Sequence, residues 1–227
     1  MLLEELRKNV LETAFQMVVD GLAHGAQGNI SALDRETGLI AITPSALPYK
    51  GMQVEDICVI DRFGKIIEGK WRSTSETPMH TIFYRERTDV GSVIHTHSPY
   101  ATVFGIIHKP IPMVLTEAAT CLTGPVPVAS YVTPGTEELA RLMVDTMAGG
   151  IAVILAQHGL LTVGADLNHA YDTTMAAETS ARLVIMARSM GGEVVHELDS
   201  EIYKKMRAGF LANYRPHPVP LEELRKK

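Results

Sequence analysis

Three histidines occupy positions from which imidazole rings could bind one metal ion. His95 and His97 are two positions apart in the segment VIHTHSPY, and His158 lies between the apolar run IAVILAQ and a glycine. Residues two apart on a strand project from the same face, so the first two rings share one side of a sheet. All three lie at ends of predicted strands, which favours a metal site over ordinary polar histidines. Three neutral imidazoles leave a divalent ion an open coordination position, as catalytic sites do; zinc is the default ion, with manganese or cobalt as alternatives.

A carboxylate and several hydroxyl groups stand where other predicted elements begin or end. Glu76 lies in the first turn of a predicted helix, where it either interacts with the helix dipole or serves as an acid and base. Residues 73–75 have the sequence Ser-Thr-Ser and offer hydroxyls and free N–H groups at the positive end of that helix, an arrangement that can bind phosphate. Asn29 and Ser45 lie in polar turns that either reach the same anion or only form the turn.

The periodicity of apolar residues predicts the elements that must position these groups. Apolar residues at steps of three and four predict a helix over 3–21, and short β-type runs around turns predict two hairpins, over 29–43 and 57–68. The continuously apolar run at 151–156 predicts a central strand that is buried on both faces. Further strands are predicted at 91–97 and 159–164, and further helices at 76–87 with Ser75 as cap, 100–105, 134–149 and 167–190, with a turn-rich segment at 112–128.

Composition limits the classes of protein to which the chain can belong. With 227 residues, 46% hydrophobic and 21% charged, it fits one soluble globular domain, predicted over 1–214 and followed by a proline- and charge-rich tail over 215–227. The formal charge of −5 argues against a nucleic-acid partner. The longest aliphatic run is far shorter than the roughly 18 residues of a membrane helix, so no membrane partner is expected. Cys58 and Cys121 form no close-spaced pair and no basic-then-apolar leader begins the chain, so a cytoplasmic location is expected.

Five segments, in order, resemble the class II aldolase and adducin head-domain family. They are GNIS, ITPSALPY, TSETPMH, VIHTHSPYATVFG and QHGLLTVG, and the resemblance extends over roughly residues 5–190. The family includes ribulose-5-phosphate 4-epimerases and aldolases of the L-fuculose-phosphate type, and the sequence is closest in type to the latter. The resemblance implies a three-layer α/β/α domain around a mainly antiparallel sheet. It also implies a homotetramer, with active sites between neighbouring subunits.

The resemblance also implies a role for each candidate residue. Zinc would be held by His95, His97 and His158, and Glu76 would contact the metal in the resting enzyme and act as the acid and base. Tyr214 in the tail is a candidate proton donor that would reach a neighbouring subunit's site, with ordinary packing as the alternative. The groups implied to bind the substrate phosphate are Asn29, Ser45, Thr74 and Ser75.

The implied activity is that of a metal-dependent aldehyde-lyase of carbohydrate metabolism. It would cleave a phosphorylated ketose of the L-fuculose 1-phosphate type to dihydroxyacetone phosphate and an aldehyde. Cleavage leaves an electron pair beside a carbonyl, and a metal stabilises the resulting enediolate as a Lewis acid. Glu76 would take the proton of the substrate hydroxyl and later return it to carbon. Ala46 stands where the family usually has glycine, so one backbone contact to phosphate could be disturbed there.

Three other functions use some of the same features. A decarboxylase of a phosphorylated keto-acid and a ribulose-5-phosphate-type 4-epimerase would use the same metal platform, but the epimerases carry aspartate where Glu76 stands. A non-catalytic adducin-like assembly domain would be expected to lack the metal-binding histidines, which are all present here. A cupin-type oxygenase would carry its glutamate shortly after the His-x-His pair, whereas here the glutamate precedes it.

Overall fold

Eight strands and seven helices make up the described part of the chain, residues 1–192 and 195–213 of a computed structural model. The strands are β1 (Asn29–Leu33), β2 (Ile40–Ile42), β3 (Cys58–Ile60), β4 (Ile66–Glu68), β5 (Ser92–Thr96), β6 (Val128–Ala129), β7 (Ala152–Leu155) and β8 (Gly159–Gly164). The helices are α1 (Glu4–Val19), α2 (Thr77–Glu86), α3 (Pro99–Ile106), α4 (Thr116–Cys121), α5 (Glu137–Met147), α6 (Leu167–Ser189) and α7 (Ser200–Asn213).

All eight strands belong to one sheet, with the order β4-β3-β2-β1-β5-β8-β7-β6. Every neighbouring pair is antiparallel except β6 and β7, which run parallel. The two predicted hairpins, β1–β2 and β3–β4, are confirmed. Strand β5 lies between β1 and β8, and this brings the histidine-bearing segments of β5 and of the β7–β8 turn to neighbouring positions.

Helices cover both faces of the sheet. Helices α2 and α5 share one apolar cluster with alternate residues of the strands, such as Val93 and Val153. Helices α1, α3, α4 and α6 pack on the opposite face, where Ile94 and Ile154 point. The predicted fold class, a three-layer α/β/α domain with a mainly antiparallel sheet, is therefore confirmed. No helix within the described ranges is long and apolar enough to cross a bilayer.

The structure differs from the sequence-based expectations in local details. Strand β7, predicted to be central, is separated from the sheet edge only by the two-residue β6, and its burial comes from helices on both faces. The turn-rich segment contains the short helix α4, which packs against α6 and α7. Helix α2 begins one residue later than predicted, with Glu76 rather than Ser75 at the N-cap position; the Glu76 side chain makes no capping hydrogen bond, and its N–H donates to the Thr74 hydroxyl at 3.2 Å. The tail at 215–227 lies outside the described residues, so the predicted domain boundary stays a prediction.

Candidate metal centre and anion cavity

The antiparallel pairing of β5 with β8 brings the three histidines together. His95 pairs with Leu161 of β8, His97 follows the last residue of β5, and His158 immediately precedes β8. The ring centroids are 5.2 Å apart for His95 and His97, 4.7 Å for His95 and His158, and 5.1 Å for His97 and His158. One nitrogen from each ring lies within 4.8 Å of the others. This spacing allows all three rings to bind a single cation.

The hydrogen bonding of His95 leaves one nitrogen free for a metal. Its Nδ1 lies 3.0 Å from the carbonyl oxygen of Leu160, which only accepts hydrogen bonds, so Nδ1 carries the proton. Its Nε2 is buried and has no hydrogen-bond partner among the described residues. Glu76 Oε1 is unpartnered in the same way. Buried polar atoms without partners are costly, and a divalent cation bound by both groups would satisfy them.

The carboxylate of Glu76 reaches the histidines from the start of α2. Its Oε2 lies 3.3 Å from His95 Nε2, and its Oε1 lies 3.7 Å from His158 Nε2. Oε2 also accepts a hydrogen bond of 2.9 Å from Asn29 Nδ2. Burial raises the pKa of Glu76, but electrostatic attraction to the His95 ring, the Asn29 hydrogen bond and electrostatic attraction to the His158 ring outweigh it, so the pKa lies below that of an ordinary glutamate. The carboxylate is therefore ionised at neutral pH and can act as a base.

The two more accessible imidazoles are held in their neutral form. Burial, together with repulsion from His95 and His158, lowers the pKa of His97 to about 4. Burial and repulsion from His95 lower the pKa of His158 as well. Only a neutral imidazole offers a lone pair to a metal, so both rings are in the ligand form at neutral pH.

Two glycines allow the backbone to pack closely around His95. Gly28 has φ of +72°, and a Cβ on it would lie 2.7 Å from the His95 carbonyl oxygen. A Cβ on Gly159 would lie 2.2 Å from the Thr96 carbonyl oxygen and 3.1 Å from Cε1 of His95. Gln157, which precedes His158, has φ of +58°, a left-handed conformation that is uncommon outside glycine. The turn that carries His158 is therefore tight on both sides of this histidine.

A polar cavity of about 280 Å³ opens beside the metal-binding cluster. Two loops that form its wall are joined by backbone hydrogen bonds, from Ser45 N to Arg72 O at 2.9 Å and from Thr74 N to Thr43 O at 3.1 Å. Hydroxyl groups and the start of α2 face one space there, which suits a phosphate group. The site residues predicted from the sequence that line this cavity are Asn29, Ser45, Thr74, Ser75, Glu76, His97 and His158.

The structure adds detail to Asn29 and Ala46. The side chain of Asn29 bonds to Glu76 through Nδ2 and to His80 through Oδ1, at 2.9 and 2.5 Å, so its contact with phosphate stays a prediction. Ala46 lines the cavity with φ of +58°, a left-handed backbone conformation that favours glycine. Tyr214 lies outside the described residues, and its role as proton donor stays a prediction.

Sequence reasoning missed a group of polar residues behind the cavity. His80 and Ser31 are fully buried, and Tyr84 is only 2% exposed. Ser31 is hydrogen-bonded to both His80 and Tyr84, and His80 is also bonded to Asn29. The signal that could have found them is the spacing Glu76, His80, Tyr84, since residues four apart lie on the same side of a helix.

Comparison with known proteins finds one matching family and several similar aldolases. The sequence pattern of the family described as Class II Aldolase and Adducin N-terminal domain matches residues 8–185. A 5-deoxy-D-ribulose 1-phosphate aldolase of Bacillus thuringiensis serovar kurstaki is 36% identical over 192 residues, which cover 84% of this chain and 89% of that protein. A solved structure of an L-fuculose 1-phosphate aldolase superposes with a TM-score of 0.86 at 33% identity, over 91% of this chain and 96% of its own. The L-fuculose-1-phosphate aldolase of Thermus thermophilus superposes with a TM-score of 0.73 at 25% identity, over 83% of this chain and 97% of its own.

The family match extends over most of the described residues, and it includes all three histidines and Glu76. The Bacillus relative is identical at more than a third of the aligned positions. The chain therefore belongs to the class II aldolase and adducin N-terminal domain family.

Proposed function

We propose that the protein is a metal-dependent aldehyde-lyase that cleaves a ketose 1-phosphate to dihydroxyacetone phosphate and an aldehyde. The observation that carries the proposal is the convergence of three imidazoles with the Glu76 carboxylate, whose Oε2 lies 3.3 Å from His95 Nε2. A non-catalytic assembly domain would have no use for these groups, which are buried at a cost unless they are partnered.

The residues of the cluster divide into ligands and a base. His95, His97 and His158 would hold the cation, and Glu76 would be a further ligand in the resting enzyme. Zinc is our proposal for the ion, and manganese or cobalt would suit the same imidazoles. When bound, the cation supplies Lewis-acid polarisation of the substrate carbonyl and its neighbouring hydroxyl.

Glu76 is the base that the geometry offers for bond cleavage. It would take the proton of the hydroxyl on the fourth carbon of the ketose, which becomes the carbonyl of the released aldehyde. The electron pair of the broken bond stays on the third carbon. Glu76, now protonated, would return the proton to that carbon and so complete dihydroxyacetone phosphate. The carboxyl ends the reaction ionised, as it began.

The polar cavity would hold the phosphate and orient the reacting bond. Ser45, Thr74 and Ser75 bring hydroxyls to the cavity, and α2 directs the positive end of its dipole to the same place. Binding energy from a phosphate remote from the broken bond can be used to fix the substrate in a reactive position. We include Asn29 among the phosphate contacts, through the second hydrogen of its Nδ2.

The substrate class is supported by the names of the relatives. The Bacillus relative acts on 5-deoxy-D-ribulose 1-phosphate and the structural relatives on L-fuculose 1-phosphate. These sugars share the phosphorylated end and differ in the part released as aldehyde. We therefore propose a ketose 1-phosphate with a deoxygenated terminus. A glutamate at position 76 favours this reaction over 4-epimerisation on the same platform, and decarboxylation is the alternative that the parallel assays address.

We further propose a homotetramer with active sites between subunits, working in the cytoplasm. Support for assembly comes from α3, which begins two residues after His97 and exposes Tyr100, Val103 and Ile106. Exposed apolar side chains grouped on one helix are typical of an association surface. Sedimentation velocity tests the assembly directly. The cytoplasmic location is supported only by the two free cysteines.

Glu76→Gln tests the proposed reaction. We expect the variant to keep the fold and the metal but to lose turnover by at least about 100-fold, because a glutamine amide cannot accept a proton. Turnover is measured as dihydroxyacetone phosphate released from 5-deoxy-D-ribulose 1-phosphate and from L-fuculose 1-phosphate. Carbon dioxide release and sugar interconversion are measured in parallel.

The control is Glu36→Gln, which removes an exposed carboxylate from the β1–β2 turn, away from the cavity. This variant should cleave the sugar phosphates at the wild-type rate. Wild-type protein that releases no aldehyde from either substrate, or a Glu76→Gln variant as active as the control, would overturn the proposed function.

A further inference from the structure

A buried ladder of hydrogen bonds runs behind the site, between one face of α2 and one face of β1. The side chains alternate between the two elements in the order Glu76, Asn29, His80, Ser31, Tyr84. The bond lengths are 2.9 Å from Asn29 to Glu76, 2.5 Å from His80 to Asn29, 2.7 Å from Ser31 to His80 and 2.7 Å from Tyr84 to Ser31. All five residues are buried.

The ladder exists because two periodicities match. Residues four apart on α2 present Glu76, His80 and Tyr84 in one row, and residues two apart on β1 present Asn29 and Ser31 to that row. Strand β1 also pairs with β5, and Asn29 is the cross-strand partner of His95. The same strand residue therefore lies beside a predicted metal ligand and bonds to the base.

The hydrogen-bonding capacity of each group fixes the direction of every bond. An ionised carboxylate only accepts, so the Asn29 atom that faces Glu76 is the NH₂ group and Oδ1 faces His80. His80 Nε2 must then donate to Oδ1, and Nδ1, the unprotonated nitrogen, accepts from the Ser31 hydroxyl. Ser31 Oγ in turn accepts from the Tyr84 hydroxyl. The Asn29 amide is thus held in one of its two orientations, and the His80 ring is held in one of its two neutral tautomers.

We propose that His80 is a positioning residue for the reaction: its Nε2–H fixes the amide of Asn29, which aims its NH₂ group at Glu76 and holds the carboxylate toward the three imidazoles. The effect of His80 on turnover rests on the proposed function, whereas the hydrogen bonds that connect His80 to Glu76 do not. Burial keeps His80 neutral by lowering its pKa to about 3, so both nitrogens keep the roles that the ladder requires. Without the His80 donor, Asn29 could turn its oxygen toward Glu76 and repel the carboxylate.

Two substitutions separate this role from ordinary packing. The glutamine of His80→Gln places an amide NH₂ near the position of Nε2 and can still donate to Asn29. The shorter side chain of His80→Asn reaches Ser31 but falls short of Asn29. We expect His80→Asn to lower kcat by about 10- to 100-fold with KM within about threefold, and His80→Gln to recover most of the loss. Equal kcat in the two variants, once both are shown to be folded by circular dichroism, would overturn the proposal.

A second measurement needs no substrate. The visible absorption of the cobalt-substituted protein reports on the groups around the ion, and we expect His80→Asn to shift it toward the spectrum of Glu76→Gln while His80→Gln keeps that of the wild type. Identical spectra for His80→Asn and the wild type would count against positioning. In metal-free protein, ¹⁵N NMR should show His80 protonated on Nε2 and bare on Nδ1; the opposite tautomer would refute the ladder as drawn. If every variant and the wild type fail to cleave ketose 1-phosphates, the proposed function fails, and the spectra still decide the role of His80.

Discussion

The buried histidine of α2 makes the stability of the protein depend on pH in a predictable direction. Burial lowers the pKa of His80 to about 3; attraction to Glu76 opposes this and repulsion from His95 adds to it. In the unfolded chain the same ring titrates near its ordinary value of 6.5. Between these values the unfolded state binds a proton that the folded state excludes. The contribution of His80 to stability is therefore complete above pH 6.5 and is lost as the pH falls toward 3.

The size of the effect follows from the two pKa values. At pH 5 the unfolded chain is favoured by protonation of His80 by about 2 kcal/mol, whereas the folded protein gains almost nothing. Far below both values the loss would approach about 5 kcal/mol. The contribution of His97, whose pKa is about 4, to the stability of the protein is lost over the same pH range, so the contribution of His80 has to be isolated by comparison with a variant.

The assay compares metal-free wild type with His80→Gln, which has no titrating group at this position. Urea unfolding at pH about 7 and about 5, at one protein concentration, gives the free energy of unfolding for each. We expect the wild type to lose about 2 kcal/mol more than the variant on acidification, because the other titrating groups contribute equally to both and cancel. An equal loss in the two proteins would refute the argument, and a larger loss in the variant would reverse its sign.

Two further predictions concern the metal and the cavity wall. His95→Ala removes the buried imidazole of the cluster, and we expect zinc per protomer after dialysis to fall by more than about tenfold, measured by atomic emission; wild-type zinc content in this variant would contradict the shared site. Ala46→Gly should raise the free energy of unfolding by up to about 1 kcal/mol in urea titrations. The substitution removes the cost of a left-handed alanine, roughly 1–2 kcal/mol, but the greater freedom of glycine in the unfolded chain offsets about 0.4–1 kcal/mol of this gain. A clear loss of stability would show that the alanine methyl makes a favourable contact.

Features governed by neighbouring residues could be predicted from the sequence. The Asp166 cap and the periodicity after it give the start of α6, and the side chain accepts the His169 N–H at 2.9 Å as expected. Turn residues between β-type runs give both hairpins. The convergence of the histidines was predictable because all three lie at ends of strands, although the sequence alone does not show that β5 and β8 are neighbours.

Features that depend on how two elements meet could not be predicted. The two residues of β6 carry too little pattern to indicate a strand, and their parallel pairing depends on the path of the chain after α4. The role of His80 depends on the rotation of α2 about its axis and on the register of β1, neither of which periodicity fixes. Taken by itself, a histidine in the middle of α2 is only one more residue of an amphipathic helix and gives no sign of a role.

The base and the metal-binding rings come from different layers of the domain. Glu76 is attached to a helix, whereas His95 belongs to the sheet beneath it. The gap between them is therefore set by how deeply Ile82 and Phe83 seat α2 on the strands, and both side chains are buried in the cluster that joins the two layers. Substitutions in that apolar cluster, remote from any reacting atom, would change the distance between the carboxylate and the histidine rings. Variation in the core could therefore adjust turnover during evolution without changing a residue that contacts the sugar.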